Sequence, residues 1–151
     1  MPQSLAKVVL HITFSTRHRK PFLRSAELRG ALDGYIVGIL QNLKCPSIIT
    51  RSVEDHIHIL CSLSRTISIA KLLEEMKSSS SEWIKKQEQG PADFYWQNGY
   101  GAFSVSESNV GRVKQYIANQ EEHHRKMSFQ EEFRLLLERH GIEYDERYVW
   151  D

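Results

Sequence analysis

The segment EDHIHIL, residues 54–60, holds two histidines separated by a single residue. Successive side chains of a β-strand point to opposite faces, so His56 and His58 project together from one face while Ile57 projects from the other. Two neighbouring imidazoles are a natural bidentate metal site, but the same pattern also fits two surface or hydrogen-bonded histidines. A metal site of this kind needs a third ligand from elsewhere in the chain.

The segment YIANQ, residues 116–120, contains a candidate for that ligand. A spacing of four puts Tyr116 and Gln120 on one face of a helix. The apolar periodicity turns Gln120 toward the protein, where a buried amide needs a partner. Gln120 is therefore a candidate third ligand. The alternative is that Gln120 bonds to backbone at the rim of the core and that Tyr116 only packs.

Taken together, these residue types favour phosphoryl chemistry. Two imidazoles and an amide oxygen form an open, thiolate-free site, which suits Mg²⁺ or Mn²⁺ on a phosphate oxygen better than a structural zinc ion. A phenol with a pKa of about 10 attacks poorly unless a metal ion polarises the phosphoryl group. Tyr116 is thus a candidate nucleophile that forms a phosphotyrosine link. A metallohydrolase that uses a metal-bound water needs only the histidines and Gln120, and it stays an alternative.

The elements that position these residues follow from apolar periodicity. The sequence predicts the order strand, helix, strand, strand, helix, strand, helix and helix. The strands are predicted at 7–16, 47–53, 56–63 and 94–105. The helices are predicted from Leu28 to Leu43, from the Ser68 cap to Gly90-Pro91, from a Ser108 or Asn109 cap through Ile117, and at 129–139. The first six match the ferredoxin-like (RRM-like) βαββαβ arrangement, an α+β fold whose antiparallel sheet has two helices on one face and the other face free. The C-terminal helices carry the tyrosine. No linker or repeat divides residues 1–151, so we expect a single domain.

Composition gives few further constraints. The net charge of +1 gives no sign of nucleic acid, yet the first 30 residues carry +5 and the last 31 carry −4, so basic stretches exist locally. The two cysteines, Cys45 and Cys61, have no metal-type spacing and fit a reducing compartment. Neither a signal peptide nor a membrane span is indicated. We expect a soluble cytoplasmic protein.

The sequence resembles the HUH single-tyrosine transposases of bacteria, which include the REP-associated tyrosine transposases. The resemblance covers nearly the whole chain and rests on HITFSTRHRKPFL, EDHIHIL, SSSSEWIK, WQNGYGAFSVSES and, above all, YIANQEEHHRKMSFQEEF followed by GIEYDERYVW. It implies that His56, His58 and Gln120 hold a divalent ion, Mg²⁺ or Mn²⁺, with no nucleotide cofactor. It also implies that Tyr116 is the catalytic nucleophile.

The resemblance further implies an activity and an assembly. The activity is cleavage of single-stranded DNA near a hairpin, through a 5′-phosphotyrosine and a free 3′-hydroxyl, followed by rejoining of strands at the bacterial nucleoid. The assembly is a homodimer, often with the tyrosine helix of one subunit completing the histidine pair of the other. The alternative function is that of a domesticated relative that binds a DNA or RNA hairpin without cutting it.

Histidines and basic residues near these elements are candidate DNA contacts. Four basic residues follow the first strand, and a second cluster follows YIANQ. His11 shares the face of the histidine pair if strands one and three are neighbours, and it is then either a DNA contact or a structural histidine. The candidates are His11, Arg17, Arg19, Lys20, Arg24, His123, His124, Arg125 and Lys126.

Overall fold

The computed structural model describes residues 2–124 and 126–151. Its first six main elements are β1 Val9–Ser15, α1 Ala26–Asn42, β2 Ser47–Ser52, β3 His56–Ser62, α2 Ile69–Lys86 and β4 Gly101–Val105. They are followed by α3 Val110–Ala118, α4 Gln120–His124 and α5 Phe129–Arg139, and short 3-10 turns lie at Arg17–Arg19 and Glu107–Asn109. The predicted DNA contact Arg125 lies outside the described residues.

The four strands form one antiparallel sheet in the order β2-β3-β1-β4. This order and the βαββαβ succession confirm the predicted α+β, ferredoxin-like fold. The central strands β1 and β3 pair in a register that sets Thr13 opposite His58 and His11 opposite Leu60. Because residues opposite each other share a face of the sheet, His11 and His58 project from the same side.

The face of the sheet away from the histidines packs against α1 and α2. Alternate residues of the central strands, such as Phe14 and Ile57, are fully buried there together with Leu32 and Met76 of the helices. Both helices begin at a serine cap, since Ser25 accepts a hydrogen bond from the Leu28 backbone and Ser68 from that of Lys71. This apolar layer holds the sheet that carries the histidine pair.

The histidine face is covered as well, contrary to the expectation of a free face. Ile117 of α3 packs on Val9, Ile49 and Leu60. The apolar side of α5 packs on Phe103 of β4 through Phe129, Phe133, Leu136 and Leu137. Apolar side chains alternate with polar ones on this face, and they are buried only because α3 and α5 lie over them.

Three local features differ from the sequence prediction. The fourth strand begins at Gly101 rather than near residue 94. Residues before it still pair with the end of β1 through an isolated bridge between Thr16 and Trp96, where the Ser15 backbone N–H donates to the Gln97 side chain at 2.6 Å. Asn109 occupies the N-cap position of α3 but makes no side-chain bond to the helix. Asn119 leaves helical geometry at φ −97° and ψ 23°, so Tyr116 and Gln120 lie on successive helices rather than on one.

Both cysteines are free and buried. Burial raises the pKa of the Cys61 thiol to about 12, which keeps it protonated and a poor metal ligand. Among the described parts of the chain, no helix has the length and apolar character that crossing a bilayer requires.

Candidate metal centre and tyrosine

The histidine pair lies on β3 because the strand alternates between the two faces of the sheet. His56 and His58 are fully buried under α3 and α5, while Ile57 and Ile59 point into the opposite core. The two imidazole rings stand 5.2 Å apart between centroids, at 79° to each other. The two rings are therefore nearly perpendicular and do not stack.

A carboxylate from α5 meets the pair. Glu132 is 2% exposed, and its Oε1 lies 2.7 Å from His58 Nε2 and 3.7 Å from His56 Nε2. One ligand atom from each of the three residues lies within 4.8 Å of the others. Two imidazole nitrogens and a carboxylate oxygen that converge in this way fit a divalent metal ion. Three protein ligands also leave coordination positions open for a substrate.

Each histidine is oriented by a second partner at Nδ1. The His56 Nδ1–H donates to Asp55 Oδ1 at 2.7 Å, which directs Nε2 toward Glu132. His58 Nδ1 lies 2.7 Å from His11 Nε2. Burial and the neighbouring His58 lower the pKa of His11 to about 3, so His11 is neutral and shares one hydrogen bond with His58. Both Nε2 atoms are thereby presented toward the centre, as in metal sites whose histidines are held by outer partners.

Tyr116 of α3 reaches the same centre. Its hydroxyl donates to Glu132 Oε2, the second oxygen of the carboxylate that contacts the histidines. The phenol ring is partly buried and stands 6.2 Å from the His58 ring. Burial, followed by the negative charge of Glu132, raises the pKa of Tyr116 above its ordinary value. The phenol is thus held neutral beside a cluster of metal-ligating groups.

Gln120, the predicted third ligand, is 2% exposed and turned inward, as the periodicity predicts. Its Nε2 donates to the Tyr116 backbone carbonyl at 3.5 Å. The Gln120 side chain also hydrogen-bonds with the phenol, and this bond lowers the pKa of Tyr116, although burial and Glu132 raise that pKa by more. The described contacts thus join Gln120 to the tyrosine. Its role as a metal ligand stays a prediction.

Sequence reasoning missed Glu132. The buried face of α5 consists of Phe129, Glu132, Phe133, Leu136 and Leu137, and Glu132 is charged where its neighbours are apolar. A carboxylate on an apolar helix face needs a partner, because a buried charge is costly without one. That was the available signal. The identity of the partner depended on how α5 packs on β3.

The predicted DNA contacts are distributed over three places. His11 lies at the centre itself, bonded to His58. The turn after β1 carries Arg17, Arg19 and Lys20 and is anchored by a hydrogen bond from the Thr16 N–H to the Asp55 carbonyl, next to His56. Lys20 pairs with Asp93 at 3.0 Å, and Arg24 is exposed just before α1.

The second basic cluster is described only in part. His123 and His124 are the last residues of α4, and their side chains lie outside the described part of the chain. Lys126 lines a cavity of about 190 Å³ together with Tyr116 and Glu132. Among the side chains of this cluster that the structure describes, Lys126 is therefore the one that it brings to the tyrosine.

Two solved proteins share the fold of this chain. A solved protein from Deinococcus radiodurans R1 with a provisional transposase assignment matches at a TM-score of 0.60 and 20% identity, over 80% of this chain and 95% of that one. A REP-associated tyrosine transposase, solved bound to a REP hairpin, matches at a TM-score of 0.61 and 14% identity, over 82% of this chain and 73% of that one. At these identities the two structures show a shared fold. No curated protein matches the chain.

The family model described as "Transposase IS200 like" matches residues 4–120. The matched region contains the whole βαββαβ unit, the histidine pair, Tyr116 and Gln120, and it ends before Glu132. Because this family model matches residues 4–120 of the 151, the chain belongs to the family of IS200-like transposases.

Proposed function

We propose that this transposase cleaves and rejoins single-stranded DNA by a metal-dependent tyrosine mechanism. The observation that carries the proposal is the single carboxylate shared by nucleophile and ligands: Glu132 contacts His58 through Oε1 and accepts from the Tyr116 hydroxyl through Oε2. A phenol joined in this way to a metal-ligating carboxylate lies beside any phosphate bound at that metal. This arrangement is what nucleophilic attack on phosphorus requires.

The proposed ligands are His56, His58 and Glu132, with Gln120 as the further oxygen ligand that the family resemblance implies. A bound Mg²⁺ or Mn²⁺ ion would polarise the phosphoryl group and stabilise its developing negative charge. Asp55 and His11 keep the two Nε2 atoms directed at the centre. All three principal ligands are buried, which limits the access of bulk water to the centre.

The proposed reaction is a transesterification. The Tyr116 oxygen forms a bond to phosphorus as the bond to the 3′ oxygen breaks, which leaves a 5′-phosphotyrosine and a 3′-hydroxyl. Glu132 is within hydrogen-bond reach to accept the tyrosine proton, and the departing 3′ oxygen takes up a proton. The reverse attack by a 3′-hydroxyl rejoins strands without ATP, because the phosphodiester energy is conserved in the tyrosine link.

We propose a DNA hairpin with an adjacent single strand as the substrate, because the REP-associated relative was solved with a REP hairpin. Such a substrate implies action at the bacterial nucleoid. The family resemblance implies a homodimer. The contacts among His58, Tyr116 and Glu132 within one chain support use of Tyr116 in its own subunit, whether or not the protein dimerises.

The direct test is to look for a covalent adduct between the protein and DNA. Wild-type protein is incubated with labelled hairpin DNA carrying single-stranded flanks and Mn²⁺, and denaturing gels are examined for a protein–DNA band. We expect the band with wild type and its loss in Tyr116→Phe, with hairpin binding retained. Binding without any adduct across varied flanks would instead indicate a non-cleaving hairpin-binding protein. Cleavage without an adduct, retained in Tyr116→Phe, would indicate a metal-bound water as the nucleophile.

A mixing experiment separates use of the tyrosine in its own subunit from exchange between subunits. Tyr116→Phe and His58→Ala each lack one half of the proposed machinery. If the tyrosine acts in its own subunit, a mixture of the two variants forms no adduct. Recovery of adduct in the mixture would show that one subunit supplies the tyrosine and its partner the histidines.

A further inference from the structure

A cleft of about 590 Å³ opens beside the tyrosine, between α3 and α5. One wall is the face of α3 that ends at Tyr116, and the other is the C-terminal part of α5. The floor is the end of β4, an edge strand of the sheet. The residues that line the cleft are His11, Ser104, Val105, Ser106, Asn109, Arg112, Val113, Tyr116, Leu136, Arg139 and His140. The cleft therefore begins at the proposed nucleophile and continues to the protein surface.

The charge of this cleft has one sign. Arg112 of α3 and Arg139 of α5 both line the cleft, and His140 lines it as well. None of the described residues that line the cleft is acidic, although the last 31 residues as a whole carry a charge of −4. Arg139 also lines, together with Tyr116, the cavity of about 190 Å³ that contains Lys126. Two arginine side chains are thus placed along a cleft that begins at the tyrosine, where they can stabilise an anionic ligand.

The cleft also has apolar and hydrogen-bonding surfaces. Val113 and Leu136 give each helix wall an apolar patch, to which the face of a base can pack. At the mouth lie Ser106 and Asn109, whose side chains can bond to base edges. Asn109 holds the N-cap position of α3 in helical geometry, and its side chain makes no bond to the helix. Asn109 ends the 3-10 turn that leads into α3, so its helical backbone explains the missing cap, and its exposed side chain lines the cleft.

We propose that this cleft binds an unpaired nucleotide adjacent to the scissile phosphate, with Arg112 and Arg139 contacting backbone phosphates and Asn109 contacting the base. The inference rests on the proposed function, because it places the DNA strand that is cleaved at Tyr116 in this cleft. It adds two phosphate contacts and one base contact that lie outside the metal centre. The hairpin is then bound elsewhere, and the cleft selects the single strand.

The test uses a short oligonucleotide without a hairpin, fluorescein-labelled dT₆. Its binding is measured by fluorescence anisotropy with Tyr116→Phe protein, which lacks the proposed nucleophile. Arg112→Gln and Arg139→Gln are introduced singly. The matched control is Lys71→Gln, which removes one positive charge from α2 on the opposite side of the sheet. We expect each arginine variant to weaken binding roughly fivefold to tenfold. We also expect the slope of log K against log salt concentration to become shallower by about 0.7. The control should change neither quantity.

The same arginine variants are then assayed for adduct formation with Tyr116 intact. We expect a raised KM for the flanking strand and an almost unchanged rate at saturating DNA, because the arginines bind the strand and not the reacting atoms. Arginine variants that bind dT₆ as tightly as Lys71→Gln would overturn the inference, whatever the adduct assay gives. Conversely, arginine-dependent dT₆ binding without any wild-type adduct would uphold the cleft and refute the proposed cleavage.

A replacement of Asn109 tests the base contact separately. The affinities of labelled dT₆, dA₆ and dC₆ are compared in the Tyr116→Phe background with and without Asn109→Ala. We expect Tyr116→Phe protein to bind the three oligonucleotides with different affinities, and these affinities to become more nearly equal when Asn109 is replaced. The salt dependence of binding should stay the same. An unchanged preference would remove Asn109 from the base contact.

Discussion

Replacement of Glu132 by glutamine tests whether the buried carboxylate is a metal ligand. The substitution keeps the shape of the side chain but removes the charge that faces both histidines, with Oε1 2.7 Å from His58 Nε2 and 3.7 Å from His56 Nε2. Without metal, the loss of charge-assisted hydrogen bonds is opposed by relief of the desolvation cost of a buried carboxylate. We therefore expect little net change in the stability of the protein in the presence of EDTA.

With metal the expectation is different. A Mn²⁺ concentration of about 100 times the dissociation constant stabilises the native state by about 2.7 kcal/mol. Loss of a ligand should weaken binding at least as much as loss of an outer partner, roughly 10- to 100-fold. At the same Mn²⁺ concentration the variant then gains only about 0.4–1.4 kcal/mol. For a chain of this size, the wild-type melting temperature should rise by roughly 5–11 °C and that of the variant by roughly 1–6 °C.

Thermal unfolding with EDTA and with Mn²⁺ measures this difference. The matched control is Glu131→Gln, the same change one residue away at an exposed position of α5, which should keep the full metal-dependent gain. An undiminished gain in Glu132→Gln would refute the assignment of the carboxylate as a ligand. If Gln120→Ala alone then abolished the gain, the amide predicted from the sequence would be the third ligand.

Two further predictions concern stability. Burial raises the pKa of Asp33 to about 6 from 3.8, so the stability that its protonated form contributes is lost as pH rises through 6. Urea unfolding between pH 4 and 7.5 should show this loss, which is up to about 3 kcal/mol. The variant Asp33→Asn should not show it. An equal pH dependence in both proteins would contradict this cause. A Cβ on Gly101 would lie 2.6 Å from the buried Phe133 ring, so Gly101→Ala should destabilise the protein by about 1–3 kcal/mol. The control Gly34→Ala, in open space on α1, should stabilise it by about 0.5–1 kcal/mol, and equal effects of the two would refute the steric argument.

The local elements of this fold could be predicted from the sequence because their signals are local. The alternation around His56 and His58 predicts β3 and the face that the histidines share. The Ser68 cap is where it was predicted, and α5 has the predicted limits of 129–139. The βαββαβ order then restricts the sheet to few arrangements, of which the ferredoxin-like one is confirmed.

The features that could not be predicted depend on contacts between distant residues. Glu132 meets His58 across 74 positions of sequence, and Gln97 replaces the strand ladder by bonding to Ser15 across 82. Neither pairing leaves a local pattern. The helix break at Asn119 is a change of one residue's geometry, which lies within the uncertainty of any helix end. These features are therefore set by long-range packing, which apolar periodicity along the sequence does not reveal.

The candidate site is assembled from three separately packed parts. The βαββαβ sheet supplies the histidine pair, α3 supplies Tyr116 and is fixed by Ile117, and α5 supplies Glu132 and is fixed by Phe129 and Phe133. The bond from Tyr116 to Glu132 joins the two helices directly above the histidines, and the arginine-lined cleft lies between the same two helices. A shift of α5 would therefore change the ligand set, the nucleophile's partner and one wall of the cleft together. Metal binding and strand binding should consequently be coupled in this protein, because both require α5 to be packed on the histidine face.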